Sequence, residues 1–223
     1  NFSDQLVECK NCHHRFRIDH LLEAKGIEPQ YDKEMIVNYS EVKCPNCDGE
    51  LTPPKSFNLM FKTFIGITED STSTAYLRPE TAGGMFVNFK NVQTTTRRRL
   101  PFGIAQIGKC FRNEITPGNF IFRTREFEIG EFEYFINPKD WEVTFEMWLS
   151  EIKRWWKDIM QVNMDNLVWH EIPDGERAHY SKRTVDIEYK YPFGLKELHG
   201  IAYRTDFDLS RHEQVSGQDL HYL

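Results

Sequence analysis

Two short pairs of cysteines constrain this chain more than any other feature. Cys9-x-x-Cys12 and Cys44-x-x-Cys47 stand 31 residues apart. Each pair makes a tight turn that offers two thiolates, and a long connector brings the turns together, as a tetrahedral zinc site requires. Pro45, Asn46, Asp48 and Gly49 supply turn formers around the second pair. A redox dithiol accounts for one pair only. Four ordinary buried thiols have no reason to keep this spacing. Adjacent His13 and His14 are alternative ligands, but such pairs more often sit on the surface. Four cysteine ligands leave no open coordination position, so the metal is expected to be structural. Cys110 stands alone. The odd count argues against a disulfide framework and for a reducing, cytoplasmic setting.

The chain has 223 residues, 39% hydrophobic and 28% charged, enough for one large domain or a domain with a small satellite. No run approaches the ~18–20 apolar residues of a membrane span, which excludes an integral membrane protein. Asn1-Phe2-Ser3-Asp4 shows no secretory signal. The missing initiator Met suggests a piece of a longer protein. Net charge is −6, which disfavours holding nucleic acid by bulk charge. Arg97-Arg98-Arg99 and His13-His14-Arg15-Phe16-Arg17 are local basic segments, read as solvated surface. Thr52-Pro53-Pro54 breaks both helix and strand. It suggests a zinc-binding segment at 1–55 and a second domain at 56–223.

Residues 100–136 read as a β-hairpin opened by Leu100-Pro101, with strands at 104–114 and 120–136 and a turn at Ile115-Thr116-Pro117-Gly118-Asn119. Alternation places Gln106, Gly108, Cys110, Arg112 and Glu114 on one face of the first strand. Ala105, Ile107 and Phe111 face the other way, as core. On a straight second strand Arg123, Arg125, Phe127, Ile129, Glu131 and Glu133 share a face. Arginines, carboxylates and an aromatic ring on one surface suit a nucleotide. A solvated face laced with ion pairs explains the same residues, and a bulge at Gly130 would reassign them. Asn137-Pro138 starts a helix. Trp141, Phe145, Trp148, Ile152, Trp155 and Ile159 form its apolar stripe, reaching roughly to Val162. Residues 163–195 are mixed, and Glu197 to Phe207 reads as a strand in which Gly200 suggests a close backbone approach or a bulge.

The stretch Phe111-Arg112-Asn113-Glu114, then Ile115 to Asn119 and Phe122-Arg123-Thr124-Arg125-Glu126-Phe127-Glu128, closely resembles motif 2 of the class II aminoacyl-tRNA synthetases. Within that class it is most similar to the homodimeric glycyl-tRNA synthetases. Phe57 to Thr63, Leu77-Arg78-Pro79-Glu80-Thr81-Ala82, Glu197 to Ala202 and Arg204 to Asp208 agree with it. The likeness covers most of 55–215. It implies an α+β fold, in which a mainly antiparallel sheet flanked by helices follows a small zinc-ribbon-like segment. Motif 2 would lie at about 104–136, with a helical insertion at about 138–190.

The implied activity is ATP-dependent activation of glycine to glycyl-adenylate and its transfer to tRNA(Gly), with ATP, Mg2+ and structural Zn2+. Arg112 and Arg123 would be the catalytic arginines, Arg112 on the α-phosphate and the glycine carboxylate region and Arg123 on the phosphates. Glu114 would seat the adenine and Phe127 would stack on it. Asn113, Phe122, Thr124, Arg125, Glu126, Leu198 and Arg204 complete the implied ATP contacts. Glu197 would bind nucleotide and Mg2+. Glu80 and Glu131 would take the glycine ammonium, with Phe127, Glu128, Ile129 and Gly130 beside it. These roles favour the straight register.

The resemblance departs at Gly83, where the family has Gln, and at Ile129-Gly130, where it has Gln-Met. Motif 1 would precede residue 1. Motif 3 and the anticodon-binding domain would follow residue 223. The expectation is an internal fragment, with little or no activity alone, from a homodimeric parent that meets the tRNA acceptor end. Two alternatives are a noncatalytic zinc-containing nucleic-acid or interaction module, and a synthetase-like paralogue charging a carrier other than tRNA.

Overall fold

The computed structural model describes residues 2–33 and 35–222. Asn1, on which the leader reading partly rests, lies outside them, as does Leu223. The fold is α+β, with every recorded strand ladder antiparallel. Instead of one broad sheet, the described residues form two three-stranded and three two-stranded sheets. None of their helices is long and apolar enough to cross a membrane.

The chain divides into two compact units, residues 1–81 with 107–130, and 82–106 with 131–223. In the first, β1 (Ser3–Glu8) is the centre of a sheet between β2 (Arg15–Arg17) and β5 (Lys55–Asn58). Helix α1 (Ile18–Glu23) and the small hairpin of β3 (Tyr31–Asp32) and β4 (Met35–Ile36) complete this part. Val7, Cys9, Ile18, Leu22, Ile36, Val42, Cys44 and Leu51 form one buried cluster. The unit continues through the hairpin of β6 (Lys62–Phe64) and β7 (Thr74–Tyr76). The expected boundary at residue 55 therefore falls inside a sheet. Lys55 pairs with Leu6, so residues 55–58 belong with β1 rather than with a following domain.

A hairpin of β8 (Phe102–Phe111) and β9 (Glu126–Phe135) gives its outer part to the first unit and its base to the second. Two expectations change here. Residues 112–125 are not strand: the chain reverses at 119–122, closed by a Gly118–Arg123 bridge, with Asn119 and Phe120 at φ 53° and 58°. Asn tolerates that left-handed region, so the reversal falls after Pro117 and Gly118. The faces of β8 are also the other way round. Gln106, Gly108 and Cys110 are on the covered side, while Ile107, expected as core, is 83% exposed. On β9 the alternation of exposure runs unbroken past Gly130, with Phe127, Ile129, Glu131 and Glu133 on the more covered face. That is the straight register.

The second unit contains α2 (Ala82–Val87), α3 (Phe89–Thr96), α4 (Trp141–Arg154), a sheet of β10 (Leu167–Glu171), β11 (Arg183–Tyr191) and β12 (Gly194–Tyr203), and α5 (Phe207–Ser216). Asn137 caps the single turn at Pro138–Asp140 by accepting from the Lys139 N–H at 3.1 Å. The segment expected as a helical insertion to about 190 is helical only to Ile159, apart from one turn at Met164–Asn166. Its remainder is largely β10 and β11, where Val, Ile and Tyr favour strand. The apolar stripe also changes. After α4, Trp155–Ile159 form a π turn, and the Met160 N–H donates to the Trp155 carbonyl at 2.9 Å. The wider turn rotates the helix face, so Trp156 is buried while Trp155 and Ile159 are exposed. Trp156 packs with Ile152, Leu167 and Ile187.

Candidate functional site

The two cysteine pairs fold as near-identical turns. The Cys9 N–H donates to His14 O, and the Cys44 N–H to Gly49 O, five residues on in each case. The fourth residue after each leading cysteine donates back to that cysteine's carbonyl, from His13 and from Asp48. Both are left-handed, at φ 60° and 54°. This repetition brings the four sulfurs within 4.8 Å of one another, with Cys9–Cys47 and Cys12–Cys44 each at 3.5 Å. Ligands about 2.3 Å from zinc would stand ~3.8 Å apart on a tetrahedron, so the donor set fits that ion. His13 is not part of it: its ring lies 3.3 Å from Glu8 and is exposed. The Cys9 sulfur accepts backbone N–H groups from Cys12 and Asn11, which holds its thiol down at about 6. At Cys12 a backbone N–H acts downward, but burial and the neighbouring thiols outweigh it and push it up to about 12.

In the same unit, the hairpin tip gathers the charged residues of 112–125. The Arg112 guanidinium lies 5.3 Å from the Phe127 ring centroid and 5.4 Å from that of Phe2. Its Nε donates to Pro79 O at 3.0 Å. Among the described residues its Nη groups have no recorded protein acceptor and no carboxylate partner. A half-buried guanidinium in that state is suited to an anion. Glu114, 7% exposed, is 3.3 Å from Arg123 Nη1, and its carbonyl accepts from Arg125 Nη2 at 3.1 Å. The Asn113 N–H donates to Leu59 O at 2.7 Å. Phe122 closes the terminal turn onto Asn119, and Thr124 donates to the Glu126 carbonyl. Asp4 lies within the field of Glu114 and Arg123; burial raises its carboxyl above the usual range despite Arg17 at 3.0 Å.

The structure brings Arg112, Asn113, Glu114, Arg123, Arg125 and Phe127 together. Glu126, Glu128 and Gly130 fall on the more exposed side of β9, opposite Phe127, Ile129 and Glu131. Glu126 pairs there with Lys109. Glu80, half-buried, follows the Pro79 carbonyl that anchors Arg112. Two contributors had no role in the sequence reading. Arg78 donates from Nε to Lys109 O at 2.7 Å and crosses above Gly108, where a side chain would collide with it. Phe2 lies outside every motif.

In the second unit, β12 shifts register at Leu198, so Glu197 pairs with Glu188 and Gly200 with Asp186. The carboxylates of Asp186 and Glu197 each stand 3.2 Å from where a Gly200 side chain would begin. What approaches Gly200 is therefore side-chain carboxylate rather than backbone, and the bulge falls two residues earlier, at Leu198. Both carboxylates border the space left open by the missing side chain. Arg204 is engaged within the protein, bound to Asp208 at 2.7 and 2.9 Å and stacked 3.7 Å from the Tyr180 centroid. Burial pulls its pKa down, but Asp208 outweighs that and holds it above the ordinary guanidinium value.

The family pattern described as the tRNA synthetase class II core domain (G, H, P, S and T) matches residues 62–216. The chain belongs to this family. Among class II relatives, the glycine–tRNA ligase of Mesoplasma florum is 49% identical over 229 residues, covering 100% of this chain and 51% of its own length. Those of Streptomyces coelicolor and Geobacillus kaustophilus are each 52% identical, covering 99% and 100% of this chain and 48% and 51% of themselves. The chain spans about half the length of the curated relatives it matches. The class II core pattern begins within β6 and ends within α5, so the cysteine pairs lie before it.

Proposed function

We propose that this chain forms the ATP-gripping part of a glycine–tRNA ligase. The observation that carries the reading is Arg112, 5.3 and 5.4 Å from two ring centroids and with no recorded Nη acceptor among the described residues, on the same tip as Arg123 and Phe127. Identity near 50% to glycine–tRNA ligases over the full chain supports the choice of amino acid.

In this reading Arg112 neutralises the α-phosphate and Arg123 the phosphates beyond it. Phe127 offers the adenine a ring, and Glu114 seats its amine while orienting Arg123. The glycine ammonium falls to Glu80 and to Glu131. A glycine carboxylate oxygen attacks the α-phosphorus in line. The bond from that phosphorus to the bridging oxygen breaks, pyrophosphate leaves with the electron pair, and glycyl-adenylate remains. A hydroxyl at the tRNA 3′ end then displaces AMP from the glycyl carbon. The first step needs orientation and charge neutralisation rather than a general base. Glu197, beside Asp186, would offer oxygen ligands to Mg2+, the charge-neutralising cation that the family resemblance implies. The four thiolates hold a structural zinc ion. The parent enzyme acts in the cytoplasm as a homodimer, as the family resemblance implies.

The test is ATP–pyrophosphate exchange by the full-length protein. Glycine should drive exchange, and alanine and serine should not. Arg112→Lys should lower kcat/KM for ATP by roughly a hundredfold, because an ammonium cannot replace a forked donor between two rings. Exchange driven equally by alanine, or unaffected by Arg112→Lys, overturns the reading.

A further inference from the structure

Phe2 belongs to the cysteine-bearing part of the first unit, yet it contacts the residue on which the proposed chemistry turns. Its carbonyl accepts the Leu59 N–H at 2.8 Å, and the Leu59 carbonyl accepts the Asn113 N–H at 2.7 Å. The backbone before β1 is thus two hydrogen bonds from the hairpin tip. The side chain makes a second link. The Phe2 and Phe127 ring centroids lie 5.4 and 5.3 Å from the Arg112 guanidinium carbon. The Pro79 carbonyl takes Nε at 3.0 Å, and the Arg112 N–H donates to Arg125 O at 3.0 Å.

One carbonyl and two rings thus act on a single guanidinium. A long side chain that must be ordered when an anion arrives costs affinity. One already held by a carbonyl and two rings has lost that freedom beforehand. Phe127 cannot do this alone if its ring is also to receive adenine. We propose that Phe2 is a positioning residue for nucleotide binding: its ring fixes Arg112 so that the Nη edge is presented to the α-phosphate. The proposal rests on the reading of Arg112 as the ATP-gripping arginine. It makes the segment before the cysteine pairs part of the ATP site's support.

Phe2→Leu keeps an apolar side chain of similar bulk but removes the ring's attraction for a cation. In the full-length protein it should raise the KM for ATP about tenfold in pyrophosphate exchange, a shift within the range such contacts support. The KM for glycine should stay within about twofold, with zinc content unchanged. Phe2→Tyr retains the ring and should restore the ATP KM. A filler of space would give a different result, with Leu tolerated and Tyr no better.

Amide hydrogen exchange across 111–114, without ligand, is the second measurement. Phe2→Leu should speed it and Phe2→Tyr should not. An unchanged ATP KM in folded, zinc-bearing Phe2→Leu overturns the proposal. A wild type that activates no amino acid rejects the catalytic reading instead. In that event amide exchange decides: faster exchange in Phe2→Leu upholds the Phe2 clamp, and unchanged exchange ends it.

Discussion

Gly108 shows how much one missing side chain can settle. Arg78 crosses above it to reach the Lys109 carbonyl at 2.7 Å, in the space a Cβ would take. Gly108→Ala must displace that guanidinium, at a cost of about 1 kcal/mol in chemical denaturation. In an Arg78→Ala background the same change should be nearly neutral, and a double-mutant cycle reads the difference. Additive effects would show that the two residues do not interfere. The spacing of the cysteines was legible in the sequence because adjacent ligands in one turn leave a local signature. The roles of Phe2 and Arg78 were not. Each acts on a partner far along the chain, and a ring-to-guanidinium contact across that separation has no spacing rule.

Among the elements, α4 and β12 show periodicity succeeding and then failing. The stripe from Trp141 to Ile152 predicted the helix and its buried face, and Phe145 and Ile152 are buried. One π turn then moved burial from Trp155 to Trp156. Nothing in residue type marks where a helix admits an extra residue per turn, because neighbouring packing selects it. Trp156 in turn stands near His199 of β12, with ring centroids 6.3 Å apart.

Burial holds the His199 imidazole below its usual 6.5, which favours the neutral ring. A depressed His pKa contributes stability that is present above 6.5 and lost as pH falls through the folded value. Stability of the folded chain, followed by urea denaturation, should therefore decline between pH 7 and pH 5. His199→Gln should flatten that decline, whatever its effect on the absolute value. An identical slope in the variant would assign the pH dependence to other groups.

For the molecule as a whole, the four thiols and the Arg112 tip lie in one compact unit. Cys44→Ser should abolish stoichiometric zinc, read by elemental analysis. It should also lower Tm by several degrees, since a structural metal contributes folding free energy directly. Zinc retained at full stoichiometry would rule out four-thiolate ligation. Chelation of the wild type should reproduce the loss, and excess zinc should reverse it.

The residue pattern alone established the family, the cysteine knuckles, the hairpin and the amphipathic helix. These depend on local spacing or on long unbroken motifs. Which face of β8 is covered, where the hairpin reverses, and how residues 55–58 join β1 emerged from the folded chain. So did the two rings around Arg112. Those outcomes depend on contacts between segments distant in sequence, where burial and shape select one arrangement among several that the local pattern allows.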